Sequence, residues 1–183
     1  MKDLKPGFID LKNIIASYTG RLFGQLKEKK QQRKILQRNK LAYIKQPLKR
    51  SKKILFLCYG NINRSAIADI IANQLMENHN SIEFKSAGFH FQGGRATDHR
   101  MSTIAEANGL QTGDFRSTVL DASLIEWADI IFAMECKQTL QLEDQYTQSK
   151  GKTFLLGGLY QDSGAIEISD PYNQSRAVYE DTF

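Results

Sequence analysis

Two cysteines in 183 residues are too few for a disulfide framework, and a reducing compartment is the simpler setting. No apolar run approaches the roughly 20 residues of a helical membrane span. No continuous apolar core follows the first lysines, so a secretory signal is not expected. The expectation is a cytoplasmic protein. The three histidines, His79, His90 and His99, lack the spacing of metal ligands, and neither metal nor cofactor is expected. No internal repeat is present. Acids are scarce at one end: residues 1–53 hold 16 of the 25 Lys and Arg but only Asp3, Asp10 and Glu28 among the 20 acids. This segment carries +13 and the rest of the chain −8, a basic arm joined to an acidic domain.

The arm, residues 1–52, shows no strand alternation. Phe8, Leu11, Ile15, Tyr18, Leu22 and Leu26 recur every three or four residues, the spacing of an amphipathic helix. A strongly basic segment, KEKKQQRKILQRNK, continues it, and Pro47 is expected to end it. One reading is a solvated arm. The other is a surface for an anionic membrane or an acidic protein partner, which would place the protein peripherally at the inner membrane face. Nucleic acid is disfavoured, because no base-reading motif or interleaved aromatics accompany the charge.

From Lys53 the pattern changes. KILFLCYG, SIEFKSAG, the second half of SLIEWADIIFAM and KTFLLGGLY read as strands, and helical spacing fills the intervals. Ile67, Ile70, Ile71 and Leu75 share one helical face, and Asn108-Gly109 stops a later helix. Strands alternating with helices predict an α/β domain over 53–183 with a parallel sheet. Such sheets carry their sites at the carboxyl ends of strands, and Cys58 sits at one.

The stretch CYGNINRS, residues 58–65, links that strand to a helix. A loop closing there turns backbone N–H groups inward at the positive end of a helix, a nest for an anion. Gly60 and Asn61 tolerate positive φ. Arg64 stands six positions after Cys58 and can grip two phosphate oxygens. Cations and helix N-termini favour the thiolate, and Ser65 can donate to it. The outcome is a nucleophile at the bottom of a phosphate cradle.

CYGNINRS resembles the signature Cys-x-Gly-Asn-Ile-Cys-Arg-Ser of the low-molecular-weight protein tyrosine phosphatases. Ser86-Ala87-Gly88, ATDHR, ADIIFAM and the late Asp170-Pro171-Tyr172 follow that family's order. The resemblance implies a three-layer sandwich around a four-stranded parallel sheet of order 2-1-3-4, here preceded by a basic helical N-terminal extension. It implies hydrolysis of phosphotyrosine in protein substrates through a phosphocysteine, without a cofactor. Cys58 would attack, Arg64 would hold the phosphoryl oxygens, and Asp170 would protonate the leaving phenolate and then activate water. Asp170 lies 112 residues after Cys58. On local sequence alone Asp170-Pro171 reads as a plain turn. Tyr59, Gly60, Asn61, Ile62, Asn63, Ser65 and Tyr172 would bind substrate, with Tyr59 and Tyr172 walling the ring slot. Phe89 and Phe91 are further wall candidates whose simpler role is packing. The mechanism implies an acidic optimum, and bacterial relatives imply control of polysaccharide export.

Several residues depart from the signature. Asn63 replaces a second cysteine, Ala66 a proline, Phe115 a histidine and Asn173 a tyrosine. The chain ends at Phe183, before the family's last helix usually does, which would loosen packing behind the acid loop. Two other readings stay open. One is a thioredoxin-coupled arsenate reductase, although its relay needs three thiols and Cys136 reads as a packed structural one. The other is a phosphate or phosphotyrosine-binding module without turnover. Glu143 and Asp144 read as a solvated helix face and Trp127 as packing bulk.

Overall fold

The structure is a computed structural model describing residues 11–77, 81–160 and 166–183. Asp3, Phe8, Asp10 and His79 lie outside the described residues. Two helices come first, α1 (Leu11–Arg38) and α2 (Leu41–Arg50), followed by β1 (Lys53–Cys58), α3 (Arg64–Leu75) and β2 (Glu83–Gly88). Then come α4 (His99–Ala107), α5 (Ala122–Trp127), β3 (Ile130–Ala133), α6 (Cys136–Gln145), β4 (Thr153–Leu155) and α7 (Arg176–Thr182).

The four strands form one parallel sheet in the order β2-β1-β3-β4. In β1 the period of two divides the side chains between the faces. Ile54, Phe56 and Cys58 join Ile130, Phe132 and Phe154 on one face, under Ala68 and Ala72 of α3. Leu55 and Leu57 meet Ile131, Ile125 and Leu142 on the other, under α5 and α6. Phe56 stacks between Phe84 at 6.1 Å and Phe132 at 6.3 Å. β1 is buried on both faces, as its unbroken apolar run requires. The expected three-layer α/β architecture and strand order are therefore present.

The basic arm is part of this fold at its distal end. Ile35 is buried beside Ala133, Cys136 and Leu155 on one face of the sheet, and Ile44 is fully buried among Phe56, Phe132 and Phe154 on the other. The α1–α2 hairpin thus straddles β4, an edge strand. Asn39, at the bend, donates to Ile35 O at 2.7 Å and accepts from the Leu155 N–H. An edge N–H that would otherwise be open to another chain is closed. Gly158 belongs to this joint, since a Cβ there would collide with Asn39 O.

Four local expectations change. The helical arm breaks at Asn39–Lys40, where a side chain caps the turn, while Pro47 sits inside α2. The proline removes one helical hydrogen bond, but Ile44 and Leu48 pack against the core on either side of it. β4 keeps only three residues, because Leu156–Leu159 turn into a 3-10 helix. Leu75 is 75% exposed, so the apolar face of α3 is left uncovered at its end, past Ile71 and Ala72. Glu143 is not free in solvent; it pairs with Arg38 and ties α1 to α6. Trp127 is half-buried against the second core cluster, with Lys85 Nζ 4.4 Å from its ring centre.

Candidate active site

The path from β1 to β2 leads one way along the sheet, and that from β2 to β3 returns past β1. The crevice at such a reversal, at the carboxyl ends of the strands, is where open α/β sheets bind ligands. Cys58 ends β1 there, and Glu135 follows β3 beside it. Register places Cys58 opposite Gly88.

Cys58 is 2% exposed, and its sulfur has two hydrogen-bonding neighbours. The backbone N–H of Asn61 points to Sγ at 3.2 Å, and the Ser65 hydroxyl lies 2.9 Å from it. Asn61 holds this loop in shape. It takes φ +50°, its Nδ2 donates to Ser65 Oγ at 2.9 Å, and its Oδ1 accepts from Thr118 N at 2.7 Å. Asn tolerates that left-handed region better than most residues. Gly60, expected to share this role, is not among the positive-φ residues; its carbonyl instead accepts from Arg95. The helix α3 starts at Arg64, so the unpaired N–H groups of its first turn lie next to the loop.

The loop fits only because residue 88 has no side chain. A Cβ there would lie 2.7 Å from Tyr59 O and 2.9 Å from Asn61 N. Gly88→Ala should therefore displace the loop backbone, costing about 1–3 kcal/mol of stability and at least tenfold in kcat/KM. Thermal denaturation and turnover of p-nitrophenyl phosphate measure the two. Full activity in this variant would mean that the loop is not held by that contact.

Arg64 is 4% exposed and almost fully partnered. Nη1 donates to Glu135 Oε1 and to Ile168 O, both at 2.9 Å, and Nη2 meets Asp170 Oδ2 at 2.7 Å. Nε alone is buried with no partner among the described residues, a donor left for an anion. Lys137 closes on Glu135 Oε2 at 2.7 Å. Asp170 comes from a loop pinned to the end of β3, where Ile168 N donates to Met134 O at 2.9 Å. Pro171 is buried, and Gln174 N returns to Pro171 O at 2.9 Å across Asn173, at φ +59°. Asn173 thus has a conformational reason to stand there. Asp170 Oδ1 accepts from Tyr172 N at 3.2 Å, and its side chain is 40% exposed.

A cavity of about 260 Å³ is lined by Cys58, Tyr59, Gly60, Ile62, Asn63, Arg64, Asp170 and Tyr172. Asn61 and Ser65 lie outside its lining, fully buried behind the sulfur. Tyr59 and Tyr172 are both about half exposed. Two lining residues were not anticipated, His90 and Arg95. His90 meets the Tyr59 ring edge-on at 6.0 Å and carries Phe91 stacked at 4.6 Å. Phe89 packs in the core instead, and Phe91 is 86% exposed. Glu135 was also missed, although an acid just past a strand end is a signal the sequence carries. A wider cleft of about 600 Å³ lies between Asp69, Gln74 and Phe115, but its lining has neither a cysteine nor an arginine.

Cys136 is a poor second thiol. It is 3% exposed, and burial with the nearby Glu167 carboxylate pushes its pKa up to about 12. Among the described residues no group of three or more His, Cys, Asp or Glu is placed to hold a metal ion.

The profile described as low molecular weight phosphotyrosine protein phosphatase matches residues 53–183. The chain is 32% identical over 131 residues to the low molecular weight protein-tyrosine-phosphatase Ptp of Acinetobacter johnsonii, covering 72% of this chain and 87% of that one. Wzb of Vibrio vulnificus, solved in complex with benzylphosphonate, superposes with a TM-score of 0.64 at 28% identity over 72% of this chain and 88% of its own. The YwlE arginine phosphatase of Geobacillus stearothermophilus gives a TM-score of 0.64 at 27% identity, covering 72% and 82%.

Proposed function

Because this chain belongs to the low molecular weight phosphotyrosine protein phosphatases and so is a phosphatase, we propose that it hydrolyses phosphotyrosine in proteins by way of a phosphocysteine on Cys58. The observation that carries this is the meeting in one cavity of a sulfur in hydrogen-bond contact with Asn61 N and Ser65 Oγ, an arginine with a spare buried donor, and a carboxyl group. The phosphoryl group takes the Arg64 donors and the amides of the loop, which stabilise the charge spread over its oxygens in transfer. The Cys58 sulfur attacks phosphorus in line, forming S–P as the P–O bond to tyrosine breaks. Protonated Asp170 gives its proton to the departing phenolate oxygen. Water then attacks phosphorus, S–P breaks, and the proton of the water goes to Asp170. Ser65 and Asn61 work from behind, steadying the sulfur anion each time it is released.

Arg64 Nη2 rests on Asp170 Oδ2. An incoming phosphate dianion replaces that carboxylate as the partner of Arg64, and the freed Asp170 takes up the proton that the Cys58 thiol gives up before it turns to the leaving group. Substrate binding and the placing of the acid are then one event.

The likeness to an arginine phosphatase raises a second substrate, phosphoarginine. The walls favour tyrosine. Tyr59 and Tyr172 offer flat apolar surface to a planar ring, and Arg95 in the same wall would repel a guanidinium. The benzylphosphonate bound by Wzb carries a phenyl ring one methylene away from its phosphonate, in keeping with this choice. Arsenate reduction is less well supported, since Cys136 resists ionisation. The setting we propose is the cytoplasm, in keeping with two free cysteines, opposite a tyrosine kinase of polysaccharide export, as the family resemblance implies.

Acid quenching during turnover of p-nitrophenyl phosphate, followed by peptide mass spectrometry, tests the mechanism. The peptide containing Cys58 should carry one phosphoryl group, and Asp170→Asn should slow its release. Turnover with no label on Cys58 would sink the covalent route. A phosphoarginyl peptide turned over faster than its phosphotyrosyl counterpart would reverse the choice of substrate.

A further inference from the structure

We propose that the exposed face of α1 seats the protein on an anionic membrane surface, with an apolar tip entering the lipid and a cationic stretch lying along its headgroups. This inference does not depend on the chemistry of the active site.

Residues 19–31 are exposed without a break. The hold of α1 on the domain, through Ile35, Arg38 and Asn39, lies at its end. Leu22, Phe23 and Leu26 are 52%, 72% and 55% exposed. Leu22 and Leu26 stand one turn apart and Phe23 beside them, so the three make one patch. Seven residues on, two turns further along the same face, stand Lys29, Lys30 and Arg33. The face begins apolar and ends cationic. Arg21, Lys27 and Lys34 flank it, all exposed, against the single acid Glu28. Ile35 follows Leu26 by nine residues, half a turn round the helix. The side that meets the domain is therefore opposite the side described, which points outward.

Each half of this face identifies the partner. Apolar surface of this size is weak alone, and so is a short row of cations. Together they meet the two-signal requirement for stable attachment to a bilayer with anionic lipid. Nucleic acid would use the cations but leave Leu22, Phe23 and Leu26 in water. Among the described residues no helix is long and apolar enough to cross a membrane, which fits a helix lying in the interface.

The test is co-sedimentation of the full chain with phosphatidylcholine vesicles, with and without phosphatidylserine. Binding should be at least tenfold tighter with phosphatidylserine and should weaken steadily with salt. K29E/K30E/R33E and, separately, L22Q/F23Q/L26Q should each weaken it at least tenfold. Both should hydrolyse p-nitrophenyl phosphate at the wild-type rate, which shows that they are folded. F23W should show a blue-shifted emission on anionic vesicles. Equal weak binding to both vesicle types, or a charge variant that binds as wild type does, would overturn the proposal. So would a chain that ignores vesicles but is retained by polyglutamate, which would make the face a site for an acidic protein.

Discussion

Cys58→Ser should reduce turnover of p-nitrophenyl phosphate to the background rate, a fall of at least about 10⁴-fold, while inorganic phosphate still binds. The sulfur leaves the phosphoryl group readily as a thiolate, whereas a serine alkoxide would be a far poorer leaving group and a far weaker nucleophile near neutral pH. The seat for the anion is separate from the nucleophile. It consists of Arg64, whose Nε has no partner among the described residues, and the amides of a loop held by Asn61 and Thr118. The serine hydroxyl can replace the sulfur against Ser65 and Asn61 N without a change of fold. Steady-state kinetics and a phosphate titration by calorimetry measure the two halves. Residual turnover near the wild-type rate would remove Cys58 from the chemistry. Loss of phosphate binding together with activity would mean that the sulfur itself forms the seat.

Deleting residues 1–50 should abolish stable folding, whereas deleting residues 1–30 should leave both folding and turnover intact. The longer deletion removes Ile35 and Ile44, which are 3% and 0% exposed, together with Leu48 and the bond from Asn39 to Leu155. Truncating one such buried aliphatic chain costs about 2–5 kcal/mol. Losing all of them approaches the total stability of a typical domain, about 5–15 kcal/mol. Ile44→Ala gives the graded version, with an expected loss of about 2–4 kcal/mol in chemical denaturation. A 51–183 fragment that unfolds as cooperatively as the whole chain would show that the hairpin only decorates the sheet.

The sheet and the loop after its first strand could be read in the sequence because their signals are local. ILFLC is apolar without interruption, and CYGNINRS begins at its last residue. The partners of Arg64 were less legible. Glu135 stands 71 residues away and Ile168 offers only a backbone carbonyl, so no spacing rule reaches either. Arg95 and His90 enter the cavity from the stretch after β2, whose path depends on Gly88 fitting under the loop. The arm misled in a different way. Its charge suggests solvent, and two isoleucines among so many cations carry no periodic signal. Ile35 and Ile44 are buried because the bend at Asn39 sends one helix to each face of the sheet. The proline, the usual punctuation, was overridden by the packing around it.

The bond between Asn39 and Leu155 spans 116 positions in the chain. During synthesis, the hairpin leaves the ribosome first and the strand that it clasps is the last of the four to emerge. Until then its buried isoleucines lack part of their packing, Phe154 for Ile44 and Leu155 for Ile35, and the closing of so long a loop is among the slower steps available to a chain of this size. The clasp is therefore the last part of the sheet to assemble, and a nascent chain arrested before Leu155 emerges would hold Ile35 and Ile44 open to chaperones.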